Sequence, residues 1–270
     1  MDSLATQRPG EDVSTFVEEL QAAGTYTFSF EDVQAMRSAS EVATMAALRR
    51  LKRRGRIVVP RRGFYVIVPT EYRAAGSPPP SWFVDDLMSF LGQPYYVGLL
   101  SAAALHGASH QQPMAFQVIT DRPTRDGVAG RARIEFHMSG SVGDTPAARV
   151  RTETGTMLVS SPEATAFDLV RFPGAAGGWS GIAMVLQELS ERLAPDALQA
   201  AAASHKTPDI QRLGYVLDQV GQPRLAEPLL RVLASRRYRP VALASDASVT
   251  GKVAESPWRV IPNVDVELDL

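Results

Sequence analysis

Residues Ser40 to Val68 read S-E-V-A-T-M-A-A-L-R-R-L-K-R-R-G-R-I-V-V-P-R-R-G-F-Y-V-I-V. Thr44, Leu48 and Leu51 recur at i, i+4 and i+7, so a helix here carries them on one face, while Ala46, Arg49, Arg50 and Arg53 fall on or near the other. Gly55 supplies the left-handed residue that ends such a helix. Ile57 and Val59 then alternate with Arg56 and Val58 as in a strand, Arg61-Arg62-Gly63 turns the chain, and Phe64 to Val68 returns it. Helix, glycine stop and arginine-tipped hairpin, in that order, predict a winged helix-turn-helix. Arginines on an exposed helix are more often a solvated face than a binding face. The ordered combination with the hairpin favours DNA.

The charge pattern sharpens this reading. Eight Lys/Arg residues lie between Arg49 and Arg62, and no Asp or Glu lies between Val42 and Thr70, although the whole chain carries a formal charge of -1. A confined basic patch suits a discrete reading module better than a protein that coats nucleic acid along its whole length. The candidate DNA-binding residues are Arg49, Arg50, Lys52, Arg53, Arg54, Arg56, Arg61 and Arg62. Arg49, Arg50 and Arg53 would face a major groove, with Arg61 and Arg62 on the wing and Arg54 and Arg56 beside it clamping the backbone.

Working upstream, Val13, Phe16, Val17 and Leu20 recur at helical spacing and Gly24 follows as a stop. Tyr26-Thr27-Phe28 is extended, and Ser29 caps a second helix with Glu31 and Asp32 at its positive end. That helix is expected to end near Arg37, with Ser38-Ala39-Ser40 as the turn and Ser40 as the cap of the third. Downstream, Ala74-Ala75-Gly76-Ser77-Pro78-Pro79-Pro80 cannot continue a helix or join a central strand. It reads as a stiff linker. The expected organisation is therefore a winged helix-turn-helix domain over residues 1–73, a Pro-rich linker over 74–81 and a larger domain over 82–270.

A chain of 270 residues has room for two domains of ordinary size. It contains no cysteine, which removes disulfides, thiolate catalysis and Cys-ligated zinc. Its apolar runs fall short of the ~20 residues of a membrane span, and Met1 to Gly10 is polar rather than signal-like, so no membrane partner and a cytoplasmic location are expected.

The second domain opens with a helix carrying Trp82, Phe83, Leu87, Phe90 and Leu91, then a small-residue helix within Tyr95 to Gly107, read as buried. Phe116 to Thr120, Arg133 to Met138, Val150 to Thr154 and Thr156 to Val159 alternate as strands of a mixed sheet. Ser161-Pro162-Glu163 is a helix entrance, and helical patterns recur around Ile182 to Arg192, Pro195 to Ala203, Ile210 to Val220 and Leu225 to Arg236. Trp258 to Ile261 and Val264 to Leu268 read as extended. The fold class is α+β.

Catalytic chemistry is hard to assemble from these residues. His106 and His110 are four apart, but Gly107 breaks the helix that would align them on a metal, and a buried histidine with a backbone partner is the simpler reading. Asp121, Glu135 and Glu163 could be the metal carboxylates of a nuclease, but the second domain's only lysines, Lys206 and Lys252, are remote from them. The chain has no G-x-x-x-x-G-K-[ST], G-x-G-x-x-G or G-x-S-x-G motif. No cofactor is expected.

The chain resembles the AbiEi family, the antitoxins of type IV toxin-antitoxin systems in bacterial phage-defence, or abortive-infection, loci. The resemblance spans nearly its whole length. It rests on G-R-I-V-V-P-R-R-G-F-Y at Gly55 to Tyr65, Y-Y-V-G-L-L-S-A-A-A-L-H-G at Tyr95 to Gly107, F-Q-V-I-T at Phe116 to Thr120, S-P-E-A-T-A-F-D-L-V at Ser161 to Val170 and R-L-G-Y-V-L at Arg212 to Leu217. The Tyr95 block is the most specific, because winged helices occur in many regulators. The resemblance implies a non-enzymatic, bifunctional protein. Its winged helix would bind inverted repeats in duplex DNA upstream of its own operon. Its second domain would assist repression and counteract a nucleotidyltransferase-like toxin without requiring a stable complex. A solitary regulator with no toxin partner would carry the same motifs.

Overall fold

The computed structural model describes residues 12–36, 40–108 and 113–267. Its first elements are α1 (Val13–Ala22), β1 (Thr27–Ser29), α2 (Phe30–Met36), α3 (Glu41–Arg53), β2 (Ile57–Arg61), β3 (Phe64–Ile67) and α4 (Val84–Leu91). After them come β4 (Tyr95–Val97), α5 (Leu99–Leu105), β5 (Phe116–Thr120), β6 (Gly127–Ala129), β7 (Ala132–Met138), β8 (Ala147–Arg151) and β9 (Thr156–Ser160). The chain closes with α6 (Pro162–Arg171), α7 (Gly178–Leu189), α8 (Pro195–Ala202), α9 (Thr207–Gln219), α10 (Pro223–Ala234) and the short strands β10 (Val241–Ala242) and β11 (Val260–Ile261). The fold is α+β, with an N-terminal winged helix followed by a larger mixed-sheet and helical part. The sheets are β1-β3-β2, β6-β7-β5-β4-β9-β8 and the parallel pair β10-β11.

Two compact units emerge. One holds the residues through Gln93 with Arg125–Glu135 and Val150–Met157; the other holds Pro94–Thr124, Phe136–Arg149 and the residues from Leu158 onward. The proline stretch expected to link two domains thus lies inside the first unit. There the Ala75 carbonyl accepts from the Arg131 amide at 2.8 Å, and Thr154 Oγ1 donates to the Trp82 carbonyl at 2.8 Å. Gly76 and Gly130 approach so closely that a Cβ on Gly76 would sit 3.0 Å from the Gly130 Cα, and Gly130 takes a φ of +57°. A distant segment ties the prolines down.

In the first unit Val13, Phe16 and Val17 of α1, Val33 of α2 and Ala47, Leu48 and Leu51 of α3 bury against Phe28, Ile57, Tyr65 and Ile67. Ser29 caps α2 reciprocally: its Oγ accepts from the Asp32 amide at 3.0 Å, and its own amide donates to Asp32 Oδ2 at 2.7 Å. Phe28 stacks on Tyr65 with ring centroids 5.1 Å apart, which joins β1 to the hairpin. The expected end of α2 at Arg37 and the Ser38-Ala39 turn lie outside the described residues.

In the second unit β4 pairs antiparallel with β5 and parallel with β9, as the mixed-sheet reading requires. The small-residue helix α5 buries Ser101, Ala102 and Ala103. Gly98 precedes it because a Cβ there would press on Ile119 Cγ1 at 2.8 Å. The helices α6 to α10 share one apolar core with Trp258 and Val260. The strand β8 starts three residues before its sequence reading, and Thr152 to Gly155 form a turn closed by a 2.9 Å backbone bond. Of the closing extended segments, only Val260–Ile261 pairs as a strand among the described residues, with Val241–Ala242; Leu268 lies outside them.

Candidate nucleic-acid interface

The α3 helix is bounded by its own sequence. Ser40 Oγ accepts from the Ala43 amide at 3.3 Å at its start. At its end the Gly55 amide donates to the Lys52 carbonyl and the Arg56 amide to the Leu51 carbonyl, both at 3.0 Å, with Gly55 at φ +64°. This 5→2, 6→1 pair is the Schellman motif, and it satisfies carbonyls that the helix would otherwise leave open. Arg50, Lys52 and Arg53 occupy the last turn, where cations complement the helix dipole.

Thr44, Ala47, Leu48 and Leu51 are buried, so the opposite face is presented outward, and Arg49, Arg50, Lys52, Arg53 and Arg54 are all exposed on and around it. Val42, 81% exposed, falls on the same face by helical rotation. Arg62 occupies the hairpin turn with Gly63 at φ +86°, and it too is exposed. No acidic side chain among the described residues forms an ion pair with any of these six cations. The structure brings them into one module.

The remaining two candidates are engaged by the protein itself. Arg56 Nη2 lies 3.3 Å from Glu18 Oε1 of α1. Arg61 is half-buried beside residues 125–126, where its Nη1 donates to the Asp126 carbonyl at 3.3 Å. Burial above all lowers its pKa, and nearby Arg125 adds to this, while Asp126 opposes it. The sequence reading placed Arg61 beside Arg62 as a projecting wing cation, but a segment 65 residues away holds it. Arg62→Ala should therefore weaken DNA binding with the melting temperature unchanged. Arg61→Ala should lower the melting temperature by a few degrees, a loss of about 1 kcal/mol for a hydrogen bond and buried stem. Binding isotherms and thermal melts of the two single variants check this.

The second unit holds a polar cluster that sequence reading missed. Tyr96 Oη donates to Asp168 Oδ1 at 3.2 Å, and Asp168 Oδ2 has no partner among the described residues. Burial pushes the Asp168 carboxyl up to about 7, opposed by the Tyr96 hydrogen bond and by Arg171. The same burial, with Asp168 adding to it, raises the Tyr96 pKa. A carboxyl raised above its unfolded value favours the folded state below about pH 4 and disfavours it as pH climbs to 7. Asp168→Asn should therefore gain stability relative to the parent at pH 8 and lose that gain as the pH falls to about 4. Each tenfold change in the proton affinity of a carboxyl on folding is worth about 1.4 kcal/mol, which paired thermal melts read as roughly 2–4 °C.

Of the other candidates, His106 is half-buried rather than buried, its Nε2 bonds the Ser160 carbonyl at 2.8 Å as the backbone partner expected of it, and His110 lies outside the described residues. Glu163 accepts from the Ala194 amide at 3.1 Å, Asp121 sits 3.4 Å from Arg122, and Glu135 sits 3.9 Å from Arg133. No group of three or more His, Cys, Asp or Glu that could hold a metal occurs among the described residues. No helix among them is long and apolar enough to cross a membrane.

Two family models match different parts of the chain. The model described as transcriptional regulator, AbiEi antitoxin, covers residues 16–68, from α1 through the wing. The model described as AbiEi antitoxin C-terminal domain covers residues 96–219, from β4 through α9. The chain belongs to the AbiEi antitoxin family. Its matched regions are those of an antitoxin and a transcriptional regulator. The crystal structure of the RV2827C protein from Mycobacterium tuberculosis superposes with a TM-score of 0.65 over 95% of this chain and 93% of that one. At 19% identity this shows a shared fold. No curated protein matches the chain in sequence.

Proposed function

We propose that this AbiEi chain is a sequence-specific autorepressor that grips duplex DNA with the outward face of α3 and the tip of its wing. The observation that carries the reading is the set of six exposed cations: Arg49, Arg50, Lys52 and Arg53 on a helix fixed at both ends by its own caps, Arg54 at its C-cap, and Arg62 in the hairpin turn. A rigid helix with cations on one side and leucines on the other positions guanidinium groups for base edges and phosphates together. Family membership supports inverted repeats upstream of its own operon as the target. It likewise supports a cognate nucleotidyltransferase-like toxin as the functional counterpart in a type IV system, opposed without a stable complex. We read the protein as non-enzymatic.

The test is fluorescence anisotropy with DNA from directly upstream of the gene, against a scrambled duplex of equal length, paired with a promoter-reporter assay in cells. Preferential binding and repression are expected. Equal affinity for both duplexes would leave a non-specific binder, and no affinity for either would remove the DNA reading.

A further inference from the structure

A small half-open cavity of about 200 Å³ lies wholly within the second unit. None of the regulator chemistry above uses it. Arg171, at the C-terminal end of α6, lines it. Its Nη1 donates to Ser139 Oγ at 2.7 Å and lies 3.5 Å from Ser141 Oγ, and its guanidinium carbon sits 5.3 Å from the centre of the Phe172 ring. Those contacts fix the plane of the group, and its Nε and Nη2 donors have no hydrogen-bond partner among the described residues. Exposed Lys206, at the entrance to α9, and Ser204 line it as well.

Two acceptors complete the lining. His205 stacks on Phe167 with ring centroids 4.0 Å apart, and its Nδ1 lies 2.8 Å from the Ala201 carbonyl. A carbonyl can only accept, so Nδ1 carries the proton and Nε2 of the neutral ring keeps a lone pair. Burial holds His205 below its ordinary pKa, which favours that neutral form. Asp209 is buried, with Arg212 Nη1 at 3.8 Å as its own cation.

We propose that this cavity binds the phosphorylated end of a sugar phosphate or nucleotide, with Arg171, Lys206 and Ser141 on the phosphoryl oxygens and His205 and Asp209 on sugar hydroxyls. Two cations and neighbouring hydroxyls suit a group of nearly two negative charges and three acceptor oxygens. A free anion has no hydrogen to give to the acceptors of two lining residues, the His205 lone pair and the Asp209 carboxylate, whereas vicinal hydroxyls could serve both. The volume falls below the roughly 300–1,000 Å³ of sites that enclose drug-sized ligands, so the sugar-phosphate edge enters and a base stays outside.

The experiment is calorimetry and thermal-shift titration of the full chain with ribose 5-phosphate, adenosine 5′-monophosphate and inorganic phosphate at millimolar concentrations. It is repeated on Lys206→Gln and Arg171→Gln. Saturable binding of either ester, tighter than that of phosphate and weakened roughly tenfold or more in Lys206→Gln, is expected, since loss of one charge-assisted hydrogen bond suffices for that change. Lys206 is exposed, so its variant stays folded and decides the matter even where Arg171→Gln unfolds. No saturable binding, undiminished binding in Lys206→Gln, or phosphate binding as well as the esters would each overturn the proposal.

Discussion

A chain carrying Arg49→Ala, Arg50→Ala and Arg53→Ala together should lose at least a hundredfold in affinity for its operator while melting at the parental temperature. All three guanidinium groups are exposed and free of ion pairs among the described residues, so their removal costs the fold little. Each contact to a base edge is worth about 1–3 kcal/mol, and each lost phosphate contact makes the salt slope shallower by about one. Three together exceed two decades. The same variant should still oppose the cognate toxin when co-expressed with it, since the region matching the antitoxin C-terminal model, residues 96–219, is untouched. Anisotropy, melting curves and growth rescue read the three outcomes separately. Loss of rescue in step with loss of DNA binding would mean that the two activities are not separable at this helix.

The largest effect on stability is expected at the contact between α9 and the chain's closing segment. Trp258 is 2% exposed, its indole N–H donates to Asp218 Oδ2, and its carbonyl accepts from Gln211 Nε2 at 2.8 Å. Gly214, in the middle of α9, lies directly beneath the indole, and a Cβ added there would overlap the ring. A helix interior normally favours alanine over glycine by about 1 kcal/mol, so the glycine is explained by this packing. Gly214→Ala should destabilise by about 1–3 kcal/mol despite its better helix propensity, and Trp258→Ala by about 3–5 kcal/mol. The double variant Gly214→Ala/Trp258→Ala should be less damaged than the sum of its singles, because the smaller side chain removes the clash. Denaturant unfolding of the parent, the two singles and the double closes the cycle. Additive losses would show that the indole does not set the residue at position 214.

These contrasts mark where the sequence was legible. The caps of α3 were readable because Ser40 and Gly55 act on amides and carbonyls within five residues of themselves. The buried stripe was readable because Thr44, Leu48 and Leu51 obey the helical period; Ala47 completes it but is too small to signal itself. The family blocks were legible as local motifs. What escaped was non-local. Arg61 looks like any wing arginine until residues 125–126 cover it, and Arg56 looks unpaired until Glu18 arrives from α1. Three prolines read as a spacer, and nothing near them announces that Gly130 will pack on Gly76. The Asp168, Arg171, His205 and Asp209 cluster is spread over 42 positions, and its one local hint was a carboxylate within the apolar run A-F-D-L-V. The strands β6 and β10, three and two residues long, are too short to show a period.

The salt dependence of operator affinity for the unaltered chain is the most direct test of the cationic crest. If about four phosphates are neutralised per protomer, log affinity against log salt should fall with a slope near -4, because roughly 0.9 counterion is released per contact. A flat line, with affinity unchanged as salt rises, would contradict the account.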